Sequence, residues 1–215
     1  MDDIQNGSRS DSCQHSDNDY DIYYIKEEQL KLLLAGLGQT EWYGLFSDAH
    51  VSERPLNVML ADLYQNGVVD WDGEGVIVRQ PYADMLSVML EKKTCVTLQT
   101  AGCKTAYVRC CYFSDTSAVL TVKSQREAKT IGMAPMPVHN WLRQLEEVCI
   151  RLEDEECCTL TCRNSVNGKV YQTVRIRKYG LREFQIDQSK YKNARRHCMR
   201  EQLGAAVWEL LCTDD

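Results

Sequence analysis

The chain has 215 residues, 44% hydrophobic and 26% charged, with a formal net charge of −6. That is ordinary for a soluble globular protein, and long enough to bury a core as one large domain or two intertwined halves. No segment approaches the ~20 apolar residues of a membrane helix, which excludes a helical membrane span.

Charge is unevenly spread. Residues 1–93 carry 17 acids and 7 bases, whereas residues 94–215 carry 14 acids and 18 bases. Within 163–200 there are 11 bases and only two acids, Glu183 and Asp187. Such asymmetry bears on partners rather than on fold. The eleven cysteines are odd in number and unevenly spaced. With no basic, apolar leader in MDDIQNGSRSDSCQHSDND, the expectation is reduced thiols in a cytoplasmic protein.

Taken in chain order, residues 1–19 are too polar to offset ordering entropy and are expected to be a disordered tail. Asp21–Ile25 reads as a short strand. Lys26–Leu37 reads as a helix, with Leu30, Leu33, Leu34 and Leu37 at i, i+3, i+4, i+7 and Gly36 and Gly38 ending it. Residues 39–51 form a connector with Trp42, Tyr43, Leu45 and Phe46. A helix over 52–66 follows, capped by Ser52, with Pro55 in its first turn and a stripe of Leu56, Met59, Leu60 and Leu63. Asn66-Gly67 stops it. Val68–Val78 reads as a hairpin turning at Asp72-Gly73. The next helix starts near Pro81 and carries Met85, Leu86, Met89 and Leu90.

Strands are expected at 94–100, 104–113 and 117–124, then an edge strand at Ile131–Met136 limited by Pro135 and Pro137. Along the second of these, Arg109, Cys111 and Phe113 share one face and Cys110 and Tyr112 the other. Pro137 opens a helix to about Leu152, lined by Val138, Trp141, Leu142, Leu145, Val148 and Cys149. Three more strands are expected at 156–163, 169–178 and 181–188. A last helix is expected over Ser189–Cys212, basic in its first half.

Part of this pattern occurs twice. Leu90–Leu98 reads LEKKTCVTL and Leu152–Leu160 reads LEDEECCTL, with five of nine letters identical at a spacing of 62. Each copy follows a helix and precedes a strand with a Val-Arg pair, Val108-Arg109 and Val174-Arg175. The expected fold is therefore α+β. Two pseudo-symmetric helix–strand–strand–strand halves, about 80–125 and 137–189, share a mainly antiparallel sheet. A small winged-helix-like helical part precedes them, and 20–212 form a single domain.

Chemistry is sparse. Cys110-Cys111, Cys157-Cys158, Cys162 and His197-Cys198 come closest to a metal set, but only Cys158 and Cys162 have ligand-like spacing. On a strand those two stand ~13 Å apart, too far for one zinc. No nucleophile elbow, phosphate loop or dinucleotide fingerprint appears. No catalytic residue, cofactor or metal is expected, and the chain does not read as an enzyme. The alternative of a winged-helix DNA-binding regulator meets Asp70, Asp72 and Glu74 at the hairpin tip, where a wing would approach phosphate. Nucleic acid and membrane are not expected partners. The functional handle is the basic run, with Arg175, Arg177, Lys178, Arg182, Lys190, Lys192, Arg195 and Arg196 as candidate partner-binding residues. Its bland alternative is a solvated face.

The order EEQLKLLLAGLG, LADLYQNGVVD, a helix entering TCVTL, MAPMPVHNWLRQLEEV and a second sheet unit resembles the EspG-like proteins of type VII (ESX) secretion. The resemblance covers roughly 20–212. It implies a pseudo-twofold α/β fold around a central antiparallel sheet, and a cytosolic chaperone that keeps helical secretion substrates soluble. No substrate-binding residue of that family carries over to this chain.

Overall fold

The computed structural model describes residues 20–40, 42, 54–92, 94–101, 108–124, 127–153, 155–189 and 195–212. The expected tail at 1–19, the Ser52 cap, Tyr43, Leu45 and Phe46 lie outside the described residues. The elements run β1 (Tyr23–Lys26), α1 (Glu27–Gly36), α2 (Leu56–Gln65), β2 (Val69–Trp71), β3 (Val76–Val78), α3 (Tyr82–Lys92), β4 (Thr94–Ala101), β5 (Val108–Phe113) and β6 (Ser117–Lys123). They continue with β7 (Thr130–Pro137), α4 (Val138–Ile150), β8 (Cys157–Asn164), β9 (Val170–Lys178), β10 (Glu183–Gln188), β11 (Arg195–Met199), a 3-10 turn (Arg200–Gln202) and α5 (Leu203–Cys212). The fold is thus mixed α+β, built on a large antiparallel sheet of nine strands in the order β1-β7-β6-β5-β4-β8-β9-β10-β11. The β2–β3 hairpin stands apart as a second, two-stranded sheet. No helix among the described residues is long and apolar enough to cross a membrane.

Two meanders, β4 to β7 and β8 to β11, meet where β4 pairs with β8. Leu98 lies directly opposite Leu160 there. Alternation along each strand sends successive side chains to opposite faces. One face gathers Val96, Leu98, Cys111, Phe113, Leu120, Leu160, Val174, Ile176, Phe184 and Ile186 under α4 and α5. Phe113 packs edge-on against Trp141 and Trp208, with ring centroids 4.7 and 5.6 Å away. The other face gathers Ile25, Cys95, Tyr112, Val119, Ile131 and Met133 under α1, α3 and Leu63 of α2. Burying one such side chain is worth ~1.5–3 kcal/mol, so both covers are held chiefly by these contacts.

Several elements depart from expectation. The strand at 131–136 is interior to the sheet: β7 pairs with β6 on one side and β1 on the other. Its prolines interrupt no pairing with β1, because that ladder ends at Met133–Tyr23, before Pro135. Pro55 is the residue before α2 rather than part of its first turn, with an extended ψ of 140°. Leu56 and Leu37, placed in apolar stripes, are exposed. The largest change concerns 189–212. Among its described residues only Leu203–Cys212 is α-helical; Arg195–Met199 is a strand on β10, with Phe184 opposite Cys198. Burying Cys198 against β10 sets a period of two that overrides the basic run's helical propensity.

The Val-Arg correspondence also shifts. Arg109 stands opposite Leu98, whereas Val174 stands opposite Leu160. Arg109 therefore matches Val174, and Arg175 falls one residue later. A one-residue slip turns a side chain to the other face. Arg109 sits under α4, donating to Gln144 Oε1 at 3.2 Å, while Arg175 is exposed on the opposite face.

Candidate functional site

The second face of β8–β11 contributes no residue to either core cluster, and no described helix packs on it. Its side chains follow from the ladder registers. One row across the strands runs Thr97, Thr161, Thr173. The next runs Gln99, Thr159, Arg175, Asp187, Arg195. A third runs Ala101, Cys157, Arg177, Gln185, His197. Hydroxyls lie toward the β4–β8 seam and guanidinium groups toward the β11 edge. The covered face of the same strands is mainly apolar, so this alternation is what an antiparallel sheet with one wet face requires.

Asp187 organises the charges. Its carboxylate lies 3.6 Å from Arg177 Nη1 and 3.6 Å from Arg195 Nε. Gln185 Nε2 donates to both of its oxygens, at 3.0 and 3.1 Å. The two arginine side chains are 48% and 71% exposed, so these pairs are solvent-screened and contribute at most ~1 kcal/mol each. Their consequence is electrostatic. Arg177 and Arg195 flank this carboxylate and Arg175 stands across from it in the ladder, leaving the patch net positive in a chain that is acidic overall. At the far end His197 stacks edge-on with Tyr179, ring centroids 5.2 Å apart.

The structure divides the expected partner-binding residues. Arg175, Arg177 and Arg195 come together on the open face. Lys178 points the other way, its ammonium donating to the carbonyls of Ile150 at 3.2 Å and Leu152 at 3.4 Å. That closes the C-terminal end of α4, where free carbonyls and the helix dipole favour a cation. Arg196 pairs with Glu209 of α5 at 2.7 Å. Arg182 is in the β9–β10 turn, away from this group, and its carbonyl accepts the Arg200 N–H at 2.8 Å. Lys190 and Lys192 lie outside the described residues. Thr159, Thr161, Thr173, Gln185 and His197 were missed by reading charge alone. The polar/apolar alternation of CCTLTC carried the signal, with Cys158, Leu160 and Cys162 buried and the residues between them half-buried.

The hairpin acids are engaged locally. Asp70 pairs with Arg79, and Asp72 Oδ1 accepts the N–H groups of Glu74 and Gly75, each at 2.9 Å. Both carboxyls are held below their usual range by these bonds, first by Arg79 for Asp70 and by Gly75 for Asp72.

Among the described residues no three His, Cys, Asp or Glu side chains converge as a metal set. The nine described cysteines are free thiols. Cys110, on the helix-covered part of the second face, is distinct. A hydrogen bond with Cys95, helped by Thr97 Oγ1 at 3.8 Å and the charges of Lys123 and Arg163, lowers its pKa to about 7. Burial instead pushes Cys162 up to about 12.

Comparison with known proteins finds no protein family that matches this chain, and no curated protein similar to it at a significant level.

Proposed function

We propose that the chain is a non-catalytic protein-binding module that docks an acidic partner on the open face of β8–β11. One observation carries this reading: a sheet face lined by Arg175, Arg177 and Arg195 is left without a described helical cover, while the opposite face of the same strands packs Cys158, Leu160, Val174, Ile176, Phe184 and Ile186 into the core under α4 and α5. Arginine forks on a rigid sheet recognise carboxylates bidentately, and a positive patch on an acidic protein steers an oppositely charged partner. The resemblance to EspG-like chaperones of type VII secretion gives the partner class: a helical secretion substrate, held soluble in the cytoplasm by this adaptor.

The same reading treats the two meanders as related halves. Supporting it, α3 precedes β4 as α4 precedes β8, and the matched leucines Leu98 and Leu160 face each other at the seam. A 62-residue offset brings matched positions opposite one another at that pair alone, as a local twofold axis demands. The first half carries α1 and α3 over its second face; the second half kept that face open for a partner.

The test uses paired baits in the native cell, wild type and R175E/R177E/R195E. A protein partner retained by the first and lost by the second, at equal thermal stability, supports docking on this face. Equal retention by both baits overturns it.

A further inference from the structure

Between β9 and β10 the open face dips into a shallow depression of about 390 Å³, lined by Thr173, Arg175, Asp187, Gln188 and Ser189. Its floor is fixed by the backbone. Ser189 N–H donates to the Thr173 carbonyl at 2.9 Å, and Thr173 N–H donates to Ser189 Oγ at 2.9 Å. The Ser189 hydroxyl is therefore oriented as an acceptor toward Thr173, with its own hydrogen left to donate outward. Among the described residues the Thr173 hydroxyl makes no hydrogen bond, and neither does the Arg175 guanidinium. Asp187, opposite Arg175 in the ladder, is already shared by Arg177, Arg195 and Gln185.

We propose that this depression binds a phosphomonoester, the side chain of a phosphorylated serine or threonine in the acidic partner. The inference rests on the docking reading above and names the group that reading leaves open. Three features select phosphate over carboxylate. A phosphomonoester presents three acceptor oxygens in a tetrahedron, enough to take the two-pronged Arg175 fork and both hydroxyls together. A planar carboxylate fills the fork and leaves Thr173 and Ser189 without acceptors. Arg177 and Arg195 on the single Asp187 carboxylate, with Arg175 across the ladder from it, leave an excess of positive charge that matches a dianion. Asp187 does not repel the ligand strongly, since Arg177 and Arg195 flank its carboxylate.

The test titrates the full chain, by fluorescence anisotropy, with a labelled Gly-Ser peptide carrying several glutamates and one phosphoserine, and with its unphosphorylated twin. The phosphorylated peptide is expected to bind at least ~10-fold tighter, the scale of one bidentate charge-assisted contact. R175A, and separately the milder R175K and T173V, should erase most of that difference. R196A, which faces α5, should keep it. Equal affinity for the two peptides, with binding still weakened by R177A and R195A, removes the phosphate site and leaves the docking face standing. Failure of both peptides to bind removes both readings. Inorganic phosphate that competes at the peptide's own concentration overturns the assignment to a partner's side chain.

Discussion

Replacing Lys178 with methionine keeps the side chain's apolar stem and removes only the ammonium that closes α4. Two hydrogen bonds are lost, at 3.2 and 3.4 Å, both to carbonyls at the helix end. A charged donor to a carbonyl contributes ~1.5–3 kcal/mol, but the second contact is long and the group is only part-buried. A cation at a helix C-terminus adds ~0.3–1 kcal/mol. The expected loss is about 1–2 kcal/mol, a fall in Tm of roughly 3–6 °C for a chain of this size. Urea unfolding followed by tryptophan fluorescence reads it as a lower midpoint at unchanged slope. Arg177, one residue earlier, points to the open face, and Arg177→Met should change stability by less than ~0.5 kcal/mol. Partner binding should show the reverse order, weakened by Arg177→Met and kept by Lys178→Met. Equal effects of the two substitutions on both stability and binding would refute the division of this basic strand into a structural and a docking side.

Three further outcomes are expected. Leu160→Ala, at the β4–β8 seam with 0% exposure, should cost ~2–5 kcal/mol by calorimetry, the range for a buried leucine that leaves a cavity. Tyr112→Phe removes the acceptor for Trp42 Nε1 at 3.0 Å and should cost ~1–3 kcal/mol with a shift in tryptophan emission, because the indole N–H is left unpartnered. Iodoacetamide should label Cys110 in the folded protein with a rate that rises through pH about 7, since the thiolate is the nucleophile. Cys162, pushed up to about 12, should resist labelling until the chain unfolds, and Cys95→Ala should move the Cys110 midpoint upward.

Much of the architecture is local and so legible in the letters. The Leu30, Leu33, Leu34 stripe, the Met85, Leu86, Met89 stripe and the Pro137 helix start all became elements with those residues buried or at the boundary. Strands β4, β6, β8, β9 and β10 fell near their expected bounds because turn residues such as Asn164–Gly168 punctuate them, with Gly168 at φ 71°. What failed depends on distant partners. Whether Arg195–Met199 is helix or strand is decided by β10, which offers Phe184 and Ile186 as neighbours for Cys198 and Arg196. Whether 131–136 is an edge is decided by β1, more than 100 residues earlier in sequence. Face assignment within the basic run needs register to the single residue. Charge counting grouped Arg177 with Lys178, while the pleat sends them to opposite sides. The hydroxyl and amide residues of the open face carry no charge signal at all, and only period-two alternation marks them.

The open face of β8–β11 is tested most directly by hydrogen exchange on the full chain with and without the partner recovered by the wild-type bait. Docking there predicts added protection in β9, β10 and β11, with α4 and α5 unchanged, and no such protection in R175E/R177E/R195E. Protection confined to α4, α5 or the β2–β3 hairpin, or equal protection in the charge-reversed chain, would contradict it.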